Sequence, residues 1–229
     1  MRPFRIGPVA ITVLALLVVA CGHSSTPTRS GPPARSPSAR GAAVNPANIR
    51  RVVRELPPGY EVTNGVPGGA SPRVIWSVGA DARAKPPQCA VLADPGNGRD
   101  QSAQGVSASG TGGVVDAVVV ALPGPVDLDP GLVAACGRWT LTGGHTTASV
   151  RLTDAPRIDG ADTLGMVADI RSSVESGAEI DSRAYTFIAY FGNFYAFTTL
   201  TTDPGSALPA LPPQFAADLL VKTVSTLRG

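Results

Sequence analysis

The side chains that could carry out chemistry are few and easily surveyed. Beyond the N-terminal stretch the only histidine is His145, so a histidine base or metal site would have to use it. It follows Gly143-Gly144 in a predicted hairpin turn, a place for an exposed side chain. A nucleophile elbow needs Gly-x-Ser-x-Gly, but Gly105-Val-Ser107-Ala-Ser109 lacks the second glycine and lies in a strand pattern. Ser-x-x-Lys is absent, because Ala82 precedes Lys85 and Leu219 precedes Lys222. Gly110-Thr-Gly112-Gly-Val-Val115 starts like a dinucleotide loop and has valine where the third glycine belongs. Asp127-x-Asp129 departs from a calcium loop at Gly131, and Asp129 before Pro130 reads as a helix cap. Asp154, Asp159 and Asp162 read as solvated turn residues. These patterns predict no catalytic residue, no metal site and no cofactor.

Sulfur remains. Cys21, Cys89 and Cys136 make an odd count, and the spare one is explained by its setting. Arg2 and Arg5 precede an apolar run, Val9 to Ala20, that ends in Val18-Val19-Ala20-Cys21. Twelve residues rise about 18 Å as a helix, too short for a bilayer core of roughly 30 Å. The run therefore reads as a signal peptide, residues 1–20. Its end resembles the bacterial lipobox, which implies that Cys21 receives a diacylglyceryl group and becomes the mature N-terminus. The expectation is a cell-membrane lipoprotein facing outward into the envelope, held by its acyl chains. Cys89 and Cys136 are then the remaining thiols, in a compartment that permits oxidation. Neither CxxC spacing nor a nearby histidine supports a zinc pair, so a disulfide is expected. Closing a loop of about 47 residues would stabilise the fold by roughly 4 kcal/mol.

Residues 21–44 hold Ser, Thr, Pro, Gly and Arg and no large apolar side chain before Val44. Such a segment cannot bury enough surface to offset its ordering entropy. It reads as a tether, with an end-to-end distance of roughly 26 Å. Five of the 19 Lys and Arg lie before Val44, where there is no acid, so the rest of the chain has 14 cations against 17 acids. That balance excludes the basic excess of a nucleic-acid-binding domain.

One α+β domain is expected over residues 45–229: a mostly antiparallel sheet built of hairpins, with N-terminal and C-terminal helices packed on it, the helices covering one face. Asn45-Pro46 carries cap and first-turn signals, and Ile49, Val52, Val53 and Leu56 recur at helical spacing. Arg50, Arg51 and Arg54 fall mostly on the other side and read as a solvated face; contact with acidic headgroups is the alternative. Arg73–Val78 reads as a strand. Val106–Ser109 with Val114–Leu122, Trp139–Thr142 with Thr146–Leu152, and Ala184–Phe191 with Phe194–Thr202 read as hairpins, and Leu164–Val174 as a strand. Gln88–Ala93 and Asp129 to about Cys136 read as short helices. Pro212–Leu227 is the best helix: Phe215, Leu219, Leu220, Val224 and Leu227 share a face, and Asp218 with Lys222 makes an i,i+4 pair. The aromatics from Tyr185 to Phe197 alternate between two faces. Core packing on both is expected, a ligand groove on one the alternative.

The order of Leu56-Pro-Pro-Gly-Tyr60, Trp76, Pro86-Pro-Gln-Cys89 and Cys136-Gly-Arg-Trp139 behind a lipobox resembles mycobacterial lipoproteins. Their domain is similar to the extracellular sensor domain of PknH-type Ser/Thr kinases. The resemblance spans roughly Asn45 to Arg228. It implies an α+β domain with a cleft for a small molecule and transfers Cys89 and Cys136 as a structural bridge. The chain departs from the kinases in having neither a kinase domain nor a retained span, and one candidate disulfide where their sensors carry two, so signalling across the membrane is not implied. The expected function is a non-catalytic binding or sensor-like module. Its partners are the membrane, through the N-terminal lipid, and an envelope lipid, glycan or protein; nucleic acid is not among them. The alternatives are a scaffold of an envelope complex and an envelope hydrolase using His145.

Overall fold

A computed structural model describes residues 43–66, 71–79 and 81–229. The signal peptide, Cys21 and nearly all of the tether lie outside these residues. Arg40–Gly229 is a compact unit that holds the whole sheet, two hydrophobic cores and the Cys89–Cys136 bridge, so it carries what it needs to fold by itself.

Asn45 caps the first element as its type requires, its side chain accepting from the Ala47 N–H at 3.1 Å. The element, Pro46–Glu55, is a 3₁₀ helix. Its buried residues, Ile49 and Val52, are three apart, and three residues per turn stacks them on one line. Arg50, Arg51 and Arg54 are exposed.

The predicted strand at Arg73–Val78 is instead a short helix, α1 (Pro72–Ile75), with Trp76 at its C-terminus. Ser71-Pro72 supplies the cap position and a φ already set for a first turn. Arg73 fixes the segment from outside, reaching Asp94 and the Gly79 carbonyl, each at 2.7 Å. Trp76 fixes it from inside: it is 1% exposed and its indole N–H donates to Thr186 Oγ1 at 3.1 Å.

The described strands form one antiparallel sheet. They are β1 (Glu61–Asn64), β2 (Arg83–Lys85), β3 (Ser102–Gly110), β4 (Gly113–Ala121), β5 (Arg138–Gly143), β6 (Thr146–Thr153), β7 (Asp162–Ser173), β8 (Glu179–Phe191) and β9 (Phe194–Thr202). The spatial order is β1-β3-β4-β9-β8-β7-β6-β5-β2. The predicted hairpins are β3–β4, β5–β6 and β8–β9. The edge strands β1 and β2 have four and three residues, short enough to limit pairing with another chain.

Each face of the sheet has its own core. On one, the N-terminal 3₁₀ helix packs on β3 and β4, and α4 (Pro213–Arg228) packs on β8 and β9. Leu219, Leu220, Val224 and Leu227 of α4 are buried there with Phe187, Phe191 and Leu200. The opposite face is also covered: α1, α2 (Ala90–Ala93) and α3 (Pro130–Ala135) lie over Trp139, Met166, Ile188, Tyr195 and Phe197. The aromatics of β8 and β9 thus serve as core on both faces. The predicted Asp218–Lys222 pair is replaced. Lys222 reaches across to Glu55 at 2.7 Å, and Asp218 accepts from Gln214 at 2.8 Å, because the 3₁₀ helix beside α4 offers Lys222 a closer carboxylate.

Candidate functional site

The covering helices leave one part of the sheet bare. β7 and β8 have 12 and 13 residues, and α4 lies over the Phe187–Phe191 end of β8. Toward β2 the same face carries no helix, and its residues are polar at every second position. Two rows cross it in direct register. One runs Lys85, Thr140, Ser149, Asp169, Arg183 over β2, β5, β6, β7 and β8. The other runs Arg83, Thr142, Thr147, Arg171, Asp181 over the same strands. Between and beside them, Trp139, Leu141, Ala148, Val150, Ala168 and Ile170 alternate with the polar residues and belong to the opposite core.

Charge is sorted along this half-face. On β7 and β8 it is neutralised: Arg183 Nε lies 2.6 Å from Asp169, and Arg171 Nε lies 3.0 Å from Asp181 and 3.4 Å from Glu179. Hydrogen bonds to Asp169 and Asp181, respectively, raise the pKa of Arg183 and Arg171 above the ordinary guanidinium value. Toward β2, Arg83, Lys85, Arg138 and Arg151 have no acid within salt-bridge distance among the described residues. Arg138 and Arg151 are opposite each other in the β5–β6 register, an arrangement that costs stability.

Two adjoining grooves lie on this surface. One, of about 610 Å³, is lined by Thr147, Asp169, Arg171, Asp181 and Arg183 among others. The second, of about 530 Å³, is lined by Lys85, Arg138, Thr140, Arg151 and Asp169 among others. They share Ser149 and Asp169. The arrangement suits recognition of charge and hydroxyl groups on an open surface.

The residues singled out in the sequence take other places. Cys21 lies outside the described residues. Cys89 and Cys136 are bonded, with Cα atoms 5.7 Å apart, and tie the end of α3 to the turn before α2 beneath the covered face. His145 is exposed in the β5–β6 turn. Asp129 caps α3, accepting from the Gly131 N–H at 2.8 Å. Ser107 lies within β3. Asp154, Asp159 and Asp162 are exposed, and no group of three or more His, Cys, Asp or Glu suited to a metal occurs among the described residues. The Gly110–Gly113 turn is a seat rather than a phosphate loop. The Tyr60 ring fills the space beside Gly110, and the Leu211 N–H donates to the Gly112 carbonyl at 2.9 Å. A Cβ at either glycine would collide with Tyr60 or Leu211.

A polar row, buried except for the half-buried Ser107 at its end, was not anticipated. Ser107, Asp116, Thr199 and Thr186 are direct cross-strand neighbours on β3, β4, β9 and β8. Thr186 and Thr199 share a 3.0 Å hydrogen bond, and Thr186 receives the Trp76 indole. Burial pushes the Asp116 carboxyl pKa up, and its hydrogen bond with Ser107 offsets part of that. The residues of the open half-face were also missed. Their signal is the strict alternation Arg138-Trp-Thr140-Leu-Thr142, repeated in Thr147-Ala-Ser149-Val-Arg151.

An open antiparallel sheet, covered by helices on one face and half covered on the other, defines an α+β domain. The chain belongs to the family described as a domain of unknown function (DUF5642), which matches residues 45–228. No curated protein matches it. Among solved structures it is similar to an uncharacterized protein (Rv0999 ortholog) from Mycobacterium smegmatis, at 21% identity and a TM-score of 0.63, covering 83% of this chain and 100% of that one. That likeness shows the fold. The extracellular domain of PknH from Mycobacterium tuberculosis also matches, at 13% identity and a TM-score of 0.45, covering 81% of this chain and 92% of that one.

Proposed function

We propose that the chain is a lipid-anchored, outward-facing envelope protein whose domain is a non-catalytic, sensor-like binding module. Cys21 bears the acyl chains, residues 21–44 hold the domain off the membrane, and the ligand lies on the open half-face. One observation carries the reading. On the face that carries α4, hydrophobic packing stops short of β5, β6, β7 and the start of β8, where hydroxyls and charges stand in register and line two adjoining grooves. No helix among the described residues is long and apolar enough to cross a membrane.

The test uses the full chain expressed in a bacterium that processes lipoproteins. Intact mass spectrometry should find the leader removed and a diacylglyceryl group on Cys21, and Cys21→Ser should abolish both. Small molecules released on denaturing the envelope-extracted protein are then identified by mass. Ser149→Trp, which fills the floor shared by both grooves, should lose them, whereas Arg50→Ala should keep them. Equal retention by the two variants, or a chain that carries no bound molecule, contradicts the binding reading.

A further inference from the structure

The end of the open half-face nearest β2 has a character that binding in general does not require. From Val44 onward acids outnumber cations, 17 to 14, yet Arg83, Lys85, Arg138 and Arg151 gather there on three adjacent strands. Lys85 pairs with Thr140, Arg83 with Thr142, and Arg138 with Arg151, so all four stand on one side of the sheet, Lys85 two residues in register from the arginine pair and Arg83 four. The one acid lining the groove among them, Asp169, is engaged by Arg183 at 2.6 Å. A directly opposed arginine pair raises the energy of the empty domain, and an anion between the two guanidinium groups would lower it. Thr140 and Ser149 add hydroxyl donors beside them. The aromatic at the border of this face, Tyr185, is only half exposed, so it offers sugars little to stack on.

We infer that this cationic end of the sheet docks on phosphate-bearing headgroups of anionic membrane lipids. The occupant follows from charge complementarity and from the tether. A domain with a net negative charge, tethered near a bilayer, is drawn to an anionic surface through a face that gathers unpaired cations, and this end of the sheet gathers four. The inference rests on the proposed lipid anchoring for its location, but its test does not use the anchor.

The unit Arg40–Gly229, which lacks Cys21, is sedimented with vesicles of phosphatidylcholine alone and of phosphatidylcholine mixed with phosphatidylglycerol. Binding to the mixed vesicles only, weakening as salt is raised, is expected. Arg138→Ser and Arg151→Ser should each weaken binding about fivefold while raising Tm, since each removes an opposed like charge. Arg138→Lys should keep binding, and a variant with Arg50, Arg51 and Arg54 all changed to Ala should bind as the parent does. Equal binding to both vesicle types overturns the inference, as does loss confined to the Arg50, Arg51 and Arg54 variant. A Tm rise with inorganic phosphate but no vesicle binding assigns the site to free phosphate and overturns the headgroup assignment. Failed acylation of Cys21 would sink the anchoring alone and leave these results unchanged.

Discussion

Asp116 stands in the middle of β4 with 4% of its surface exposed, between Ser107 and Thr199. Its carboxyl pKa in the folded chain is above the unfolded value, so the folded state holds the proton more firmly. Stability therefore falls as pH rises through the window between those two values. Asp116→Asn should raise Tm above that window and leave it unchanged below it, measured by thermal unfolding at a series of pH values. Two strands along the same row, Thr186 accepts the Trp76 indole N–H in a fully buried setting. Thr186→Val leaves that N–H without a partner and should cost about 1–3 kcal/mol in denaturant unfolding. Combining it with Trp76→Phe should cost less than the sum of the two single changes. Neither Asp116 nor Thr186 was marked by the sequence, because a lone Asp among valines carries no spacing signal. The partner that satisfies it, Ser107, lies across the β3–β4 hairpin and meets it only through register.

Among the elements, α1 shows where local pattern gave way to tertiary contacts. Arg73–Val78 has the β-branched content of a strand, but Pro72 sets a first turn, and the Arg73–Asp94 pair and Trp76 lock it from both sides. Asp94 has 6% of its side chain exposed, so Arg73→Ala strands a buried carboxylate and should cost about 3 kcal/mol. Unfolding in urea checks this, and loss below 1 kcal/mol would mean that α1 is held by Trp76 alone. Changing both Cys89 and Cys136 to Ala opens a loop spanning 47 residues and should lower stability by about 4 kcal/mol, read from the same unfolding curves. The hairpins and α4 were legible because period-2 and period-3.6 patterns, bracketed by Gly and Pro, report a buried face directly. The short strands β1 and β2 were not, since three or four mostly exposed residues at a sheet edge are too few to show such a pattern. The partner of Lys222 was missed for a related reason. An i,i+4 rule sees one helix, and Glu55 lies on another.

At the scale of the molecule, each face of the sheet has a hydrophobic core, and on the α4 face that core stops short of the rows of hydroxyls and charges on β5 to β8, where the account places the ligand. The polar character of that half-face was present in the alternation of β5 and β6. What hid it was coverage, since no local pattern tells which exposed row a helix will pass over. The chain supplies its own probe of this surface: its two lysines are Lys85, on the open half-face, and Lys222, on α4. Amine-reactive labelling of the full chain in intact envelopes, compared with the same chain after detergent extraction and read by peptide mass spectrometry, tests whether the half-face is occupied. The account predicts that Lys85 is protected in the envelope and becomes reactive on extraction, while Lys222 reacts equally in both. Equal reactivity of Lys85 in the two states would contradict it.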